Sequence, residues 1–183
     1  MSRCPSRAVT ETEGQGLRIL PLAEGDIEAV IKLAGVIWRH HYPGIISMEQ
    51  IEYMLAQRYT PVLVRAQLQR EDAWWEIALA GSRMIGFVQY ELSEREPQPR
   101  VMKLNQIYVR EECQRQGHGG RILAHVLERA QCCGCELVRL YVNRHNANSI
   151  AAYRKHGYAV AGTALTAIGG GFVMDDYVME KKL

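Results

Sequence analysis

Val109-Arg-Glu-Glu-Cys-Gln-Arg-Gln-Gly-His-Gly-Gly-Arg-Ile-Leu123 is the stretch on which the reading of this chain turns. Upstream of it, Leu104-Asn-Gln-Ile-Tyr-Val109 is rich in β-branched and aromatic residues and predicts a buried strand. Downstream, Ile122, Leu123, Val126, Leu127 and Ala130 recur at helical spacing. Between them, Gly117, Gly119 and Gly120 permit a tight turn that bares backbone amides. The first N–H groups of a helix have no internal partner and the dipole there favours negative charge, so such a junction suits a phosphate or diphosphate. The dinucleotide fingerprint needs a glycine where Ile122 stands, and the Walker pattern needs Lys-Ser/Thr where Gly120-Arg121 stands. What remains is Gln114-x-x-Gly117-x-Gly119, which by itself also fits a tight turn before a packed helix.

The rest of the chain sets the frame. Its 183 residues are one domain by size, and 48% hydrophobic with 23% charged residues is ordinary for a soluble globular protein. A net charge of +2 is too small to argue for nucleic acid or a membrane surface as partner, and no apolar run reaches the length of a membrane span. Residues 1–16 have no apolar core of a secretory signal and read as a disordered tail, so a cytoplasmic protein is expected. Among the five cysteines, Cys132-Cys133-Gly134-Cys135 reads as a helix end with Gly134 as left-handed cap. No second Cys/His pair has zinc spacing, so no metal is expected. Cys113, just before an electropositive helix start, reads as structural.

In chain order, Leu17–Leu20 alternates as a strand, and Asp26 reads as the N-cap of a helix burying Ile27, Val30, Ile31, Ala34, Ile37 and Trp38. Pro43-Gly44 ends it. Ser47 and Gln50 form a capping box for a second helix with Met48, Ile51, Met54, Leu55 and Tyr59 inward, and Thr60-Pro61 opens a third. Trp74–Ala80 and Met84–Tyr90 flank a short turn at Gly81 as a hairpin, and 93–100 is a polar loop. Leu137–Val142 is a buried strand, Asn148 caps a helix ending at Gly157, and two strands around Gly169-Gly170-Gly171 close the sheet. The class is α+β, and the strand–helix–strand crossover over 101–142 makes two strands parallel.

A second signature follows that crossover: Leu140-Tyr-Val-Asn-Arg-His-Asn146-Ala-Asn-Ser-Ile-Ala-Ala-Tyr153-Arg-Lys-His-Gly157-Tyr158. In these two stretches, in this order, the chain resembles the GNAT superfamily of acyl-CoA-dependent N-acetyltransferases. That family's diphosphate loop reads Gln/Arg-x-x-Gly-x-Gly/Ala, and its later motif reads Asn-x-x-Ala-x-x-x-Tyr-x-x-x-Gly-Phe. Ser149 and Tyr158 are mild departures. The resemblance covers residues 17–183 and implies a central mixed, mostly antiparallel seven-stranded sheet, splayed between the fourth and fifth strands and flanked by helices. It implies transfer of an acetyl group from acetyl-CoA to a primary amine by direct attack in a ternary complex, without a metal. By resemblance, Ile107, Tyr108 and Val109 pair with the pantetheine arm, and Arg115, Gln116, Gly117, His118, Gly119 and Gly120 hold the diphosphate. Asn146 would bond the arm, and Tyr153 would reach the thioester sulfur. A homodimer is compatible with the fold.

The chemistry says why such parts are needed. An amine attacking a thioester creates an oxyanion, which a backbone N–H near Val109 can stabilise, and the departing thiolate is helped by an acid. An alkylammonium near pKa ~10 must first lose a proton. Relatives that acetylate protein N-termini carry a glutamate where this chain has Tyr141, so the base is expected among His40, His41, Asp175 and Asp176. Trp38 and Tyr42 are expected to wall the acceptor pocket, with Asp175 or Asp176 attracting a cationic amine; core aromatics and a solvated acidic turn fit the same spacing. The layout is also similar to bacterial polyamine acetyltransferases. A non-catalytic acyl-CoA-binding module on the same fold is the alternative.

Overall fold

The order of elements grows out of the patterning above. In the computed structural model, which describes residues 16–93 and 100–183, the chain begins with β1 (Leu17–Pro21). A 3-10 turn leads into α1 (Ile27–His41), α2 (Met48–Arg58) and α3 (Pro61–Leu68). Next come β2 (Ala73–Ala80), β3 (Arg83–Leu92), β4 (Val101–Val109), α4 (His118–Cys132), β5 (Leu137–Asn143), α5 (Ala147–Lys155), β6 (Ala159–Gly169) and β7 (Phe172–Lys182). The expected N-terminal tail, but for Gly16, and most of the polar loop at 93–100 lie outside the described residues.

All seven strands form one sheet in the order β1-β2-β3-β4-β5-β7-β6. Only β4 and β5 run parallel, because α4 carries the chain back across the sheet between them; a hairpin cannot do that. The expected α+β class and seven-stranded sheet are thus what the chain forms. Each face of the sheet has its own core. Ile122, Val126 and Ala130 of α4 meet Met102, Leu104, Val138 and Leu140 on one face. Val30, Ala34 and Trp38 of α1 meet Ile51, Val64, Trp75 and Phe87 on the other. Each large apolar side chain so buried contributes roughly 1.5–3 kcal/mol.

Buried charges lie inside the first core. Glu76 on β2 is buried, accepts from the Tyr90 hydroxyl at 2.8 Å, and lies 2.8 Å from His125 Nε2 and 3.6 Å from Arg129 of α4. Removing one member of such a group leaves the rest uncompensated. Glu76→Leu, similar in volume, is expected to lower the unfolding free energy by about 3 kcal/mol. Urea midpoints measure this, and Glu76→Gln, which keeps an acceptor for Tyr90, should lose less.

The sheet opens where the site will be. β4 pairs with β5 only over Val101–Leu104 against Leu137–Leu140. Beyond that, β4 remains bonded to β3 up to Val109, while its other edge parts from Tyr141, Val142 and Asn143. At the parting, β4 has one extra residue: Gln89 faces Gln106 and Tyr90 faces Leu104, leaving Asn105 as a bulge. The bulge resets the alternation. Met102 and Leu104 pack on the α4 side, and after Asn105 it is Ile107 and Val109 that do so. Tyr108 therefore turns to the α1 side.

Several local expectations need correction. Asp26 stands at the N-cap of α1, but its side chain makes no capping bond, because the 3-10 turn before it holds its backbone in helical conformation. Ser47 caps α2 by accepting from Gln50 N (3.2 Å), but the reciprocal half of the box is absent, since Gln50 Nε2 donates to Val173 O on β7 (3.1 Å). Met48 is exposed rather than inward. The cap of α5 is Asn146, not Asn148: Asn146 Oδ1 accepts from Ser149 N at 3.2 Å. Thr60 and Gly134 (φ +71°) cap as the sequence predicts.

Candidate active site

Two features meet at the opening between β4 and β5. The first is the turn into α4. Gly117 caps the helix at φ +84°, and Arg115 holds φ +58°, a left-handed conformation uncommon outside glycine. Two glutamines pin the loop: Gln114 Nε2 donates to Val109 O (3.1 Å) and Gln116 Nε2 to Glu112 O (3.0 Å). The bond from Arg121 N to Gly117 O leaves the amides of His118, Gly119 and Gly120 ahead of it with no partner inside the helix. A Cβ on Gly119 would meet nothing within 4 Å, so this mouth is open, whereas one on Gly120 would come 2.6 Å from the His156 ring. An unpaired strand edge running into an open, positive helix end fits an extended arm ending in a diphosphate.

The second feature is the lining on the α1 side. The Tyr42 and Tyr108 hydroxyls lie 3.0 Å apart, and Trp38 packs against both rings at 4.6 and 5.9 Å. Trp38 is itself buried, so it backs the wall rather than lining it. Tyr153 of α5 lies 5.8 Å from the Tyr158 ring, and burial pushes its hydroxyl pKa up, so the proton stays on oxygen through the neutral range. The Tyr42 hydroxyl is near enough to that of Tyr153 that ionising either would oppose ionising the other.

Asn146 joins the two sides. Its Oδ1 is committed to the helix cap, so its Nδ2 must be the donor toward His41 Nε2, 3.1 Å away. His41 Nε2 is then an acceptor, and the ring is neutral with its proton on Nδ1. Burial lowers the His41 pKa in the same sense, and His40 adds to it. Asn146→Asp keeps a cap oxygen but replaces the donor by a charge that favours imidazolium. The His41 pKa is therefore expected to rise, by one to two units on the scale of ~1–3 for adjacent opposite charges, as read by ring-proton NMR titration.

The β6–β7 hairpin closes the far side. Tyr53 of α2 donates to Ile168 O (3.0 Å) and faces Phe172 at 5.3 Å. Cβ atoms on Gly169 or Gly170 would collide with the Tyr53 ring, and both glycines have positive φ, so the tip is shaped for this docking. Successive strand residues face opposite ways, which separates the two acids. Asp175 faces the α4 side and pairs with Arg144 at 3.2 Å. Asp176 lies opposite Asn143 and faces α1 and α2; it is buried, and its Oδ1 has no hydrogen-bond partner among the described residues. Burial raises its pKa to about 6, with Arg58 opposing and Asp175 adding.

Of the residues singled out from the sequence, the fold brings Tyr42, Tyr108, Asn146, Tyr153 and Asp176 around one cleft, with Ile107 and Val109 on its edge strand. It does not bring Asp175 there, nor His40, which lies exposed against Glu111 at 2.9 Å. Gln106, buried with an unpartnered Oε1, and Arg58 were missed, since only the bulge and the tertiary packing place them.

Comparison with known proteins agrees with this geometry. Residues 38–158 match the Acetyltransferase (GNAT) family. The chain belongs to that family. As a GNAT acetyltransferase it takes its acetyl group from acetyl-CoA and delivers it to an amine. It is 26% identical over 170 residues to a spermidine N(1)-acetyltransferase of Thermoplasma acidophilum, a match covering 91% of this chain and 97% of that protein. Among solved structures, the PaiA N-acetyltransferase of Thermoplasma acidophilum in complex with coenzyme A superposes with a TM-score of 0.75 at 26% identity, covering 92% of this chain and 99% of that one. A GCN5-related N-acetyltransferase from Rhodopseudomonas palustris shares the fold, with a TM-score of 0.74 at 16% identity over 96% and 99% of the two chains. Among the described residues of this GNAT acetyltransferase, no helix is long and apolar enough to cross a membrane.

Proposed function

We propose that this enzyme acetylates a primary amine of a small aliphatic polycation, of the spermidine class, within residues 17–183. The observation that carries the reading is Asp176, a buried acid with an oxygen that no group among the described residues satisfies. Burying such a group is costly unless a ligand compensates it, and an ammonium does so. The similarity to a spermidine N(1)-acetyltransferase over most of both chains supports the same class.

In this reading Arg115, Gln116, Gly117, His118, Gly119 and Gly120 hold the CoA diphosphate, mainly through the amides opening α4. Ile107, Tyr108 and Val109 give backbone partners to the arm along the free edge of β4. Asn146 positions the arm from the N-cap of α5, and the Val109 amide faces the developing oxyanion. Tyr42 lines the acceptor space with Trp38 behind it. Tyr153 supplies the proton that the departing thiolate takes up. The uncharged β6 edge, Ala159 to Gly169, supports pairing of two copies.

Initial-rate assays with acetyl-CoA and an amine panel test the substrate class. Spermidine, spermine or a diamine should give a kcat/KM at least tenfold above peptide N-termini and neutral amino sugars. A preference for peptides would reject it.

A further inference from the structure

We propose that Asp176 accepts the proton that the incoming ammonium must shed before it can attack; this rests on the cationic-amine reading above. The alkylammonium is protonated at neutral pH and has no lone pair, so some group in the cleft must take that proton. The structure narrows the choice. His41 Nε2 already accepts from Asn146 Nδ2 and its Nδ1 carries hydrogen, so the ring has no free lone pair. His40 lies outside on Glu111, and Asp175 lies on the other face against Arg144. Tyr141, at the position where some relatives hold a glutamate, is a half-exposed phenol on the same face of the sheet, packed by Lys103.

Asp176 has what the others lack. It sits on the strand beside β5, directly across from Asn143, three residues before the Asn146 cap. Its neighbours across the ladder, Asn143 and Ala164, carry no charge. The groups facing it from the packed elements are Tyr42 of α1, whose proton stays in place through the neutral range, and Arg58 of α2, with Asp175 adjacent on β7. Arg58 favours the ionised carboxylate, while burial and Asp175 make it more basic than an ordinary aspartate. It is ionised at neutral pH yet avid enough to hold a proton in passing. The balance closes as follows. One N–H bond of R–NH3+ breaks and its proton goes to Asp176. The freed lone pair forms the C–N bond as the C–S bond breaks. Sulfur takes the Tyr153 proton, the tyrosinate oxygen takes the second proton from nitrogen, and Asp176 releases its proton to solvent.

The test compares wild type with Asp176→Asn on two amines, a polyamine with ammonium pKa ~10 and an α-amino amide near ~8. Asp176→Asn should lower kcat/KM for the polyamine by about 10²–10³, within the range of general-base contributions, and at least tenfold less for the weaker base. The acidic limb of the wild-type kcat/KM profile, centred about pH 6, should disappear in the variant. Acetyl-CoA affinity by calorimetry should be unchanged, and the variant should melt higher than wild type at pH 8 and converge with it at pH 4. An equal loss on both amines, a retained acidic limb, or a rise in KM with kcat intact would overturn the proposal while leaving the substrate class standing. So would lost acetyl-CoA affinity or a lower melting point at pH 8, which would make Asp176 structural. If wild type acetylates neither amine, it is the cationic-amine reading that fails.

Discussion

Tyr153→Phe is expected to lower kcat by about 10²–10³, with acetyl-CoA affinity within a factor of about two of wild type. The substitution removes one oxygen and keeps the ring that packs on Tyr158. The ring's place in the α4-side core is retained. What is lost, in the proposed reading, is the donor for the leaving sulfur. Because burial raises the Tyr153 pKa, the proton must move in concert with C–S cleavage rather than before it. The variant should therefore show a pH-independent drop in kcat, not the loss of an alkaline limb. Pre-steady-state mixing with acetyl-CoA distinguishes slow chemistry from slow release.

Gly119→Asp is expected to weaken acetyl-CoA binding by about 100-fold or more, about 2.7 kcal/mol, without weakening the fold. Gly119 lies in the first turn of α4, has no positive φ, and has open space where a Cβ would go. An acid there complements the helix dipole and replaces a poor helix former, so the ligand-free protein should be as stable as wild type or more so. The same charge repels a diphosphate at the amides it would use. Thermal shift shows both halves at once: an unchanged or higher melting point alone, and a lost increment with acetyl-CoA. Gly119→Ala, neutral and small, should keep most of that increment.

What could be read from the sequence was what is encoded locally. Gly117 and Gly119 between a strand and a helix, Thr60-Pro61 at a helix start and Gly134 at a helix end each specify backbone geometry within a few residues. The parallel pair followed from the handedness and length of the crossover. Asp175 and Asp176 could not be told apart, because their facing depends on lying in β7 rather than in a turn. The cap of α5 was misplaced by two residues because Asn146 and Asn148 are equally good acceptors on paper, and only the backbone path out of β5 chooses between them. Glu76, His125 and Arg129 gave no signal: their meeting joins β2 to α4, some fifty residues apart. The Asn105 bulge left none either, since an extra residue in β4 is visible only against its partner strand.

That single unmatched residue divides β4 into two separately indexed halves. Below it, even-numbered side chains pack on the α4 side; above it, Tyr108 packs on the α1 side, where the proposed acceptor space lies. In the proposed reading, positions 106 and 108 can therefore be varied to retune amine preference while Met102 and Leu104 keep their packing on the α4 side. Excising Asn105 would close the ladder into a regular one, with Tyr108 still on the α1 side and Ile107 and Val109 still on the α4 side.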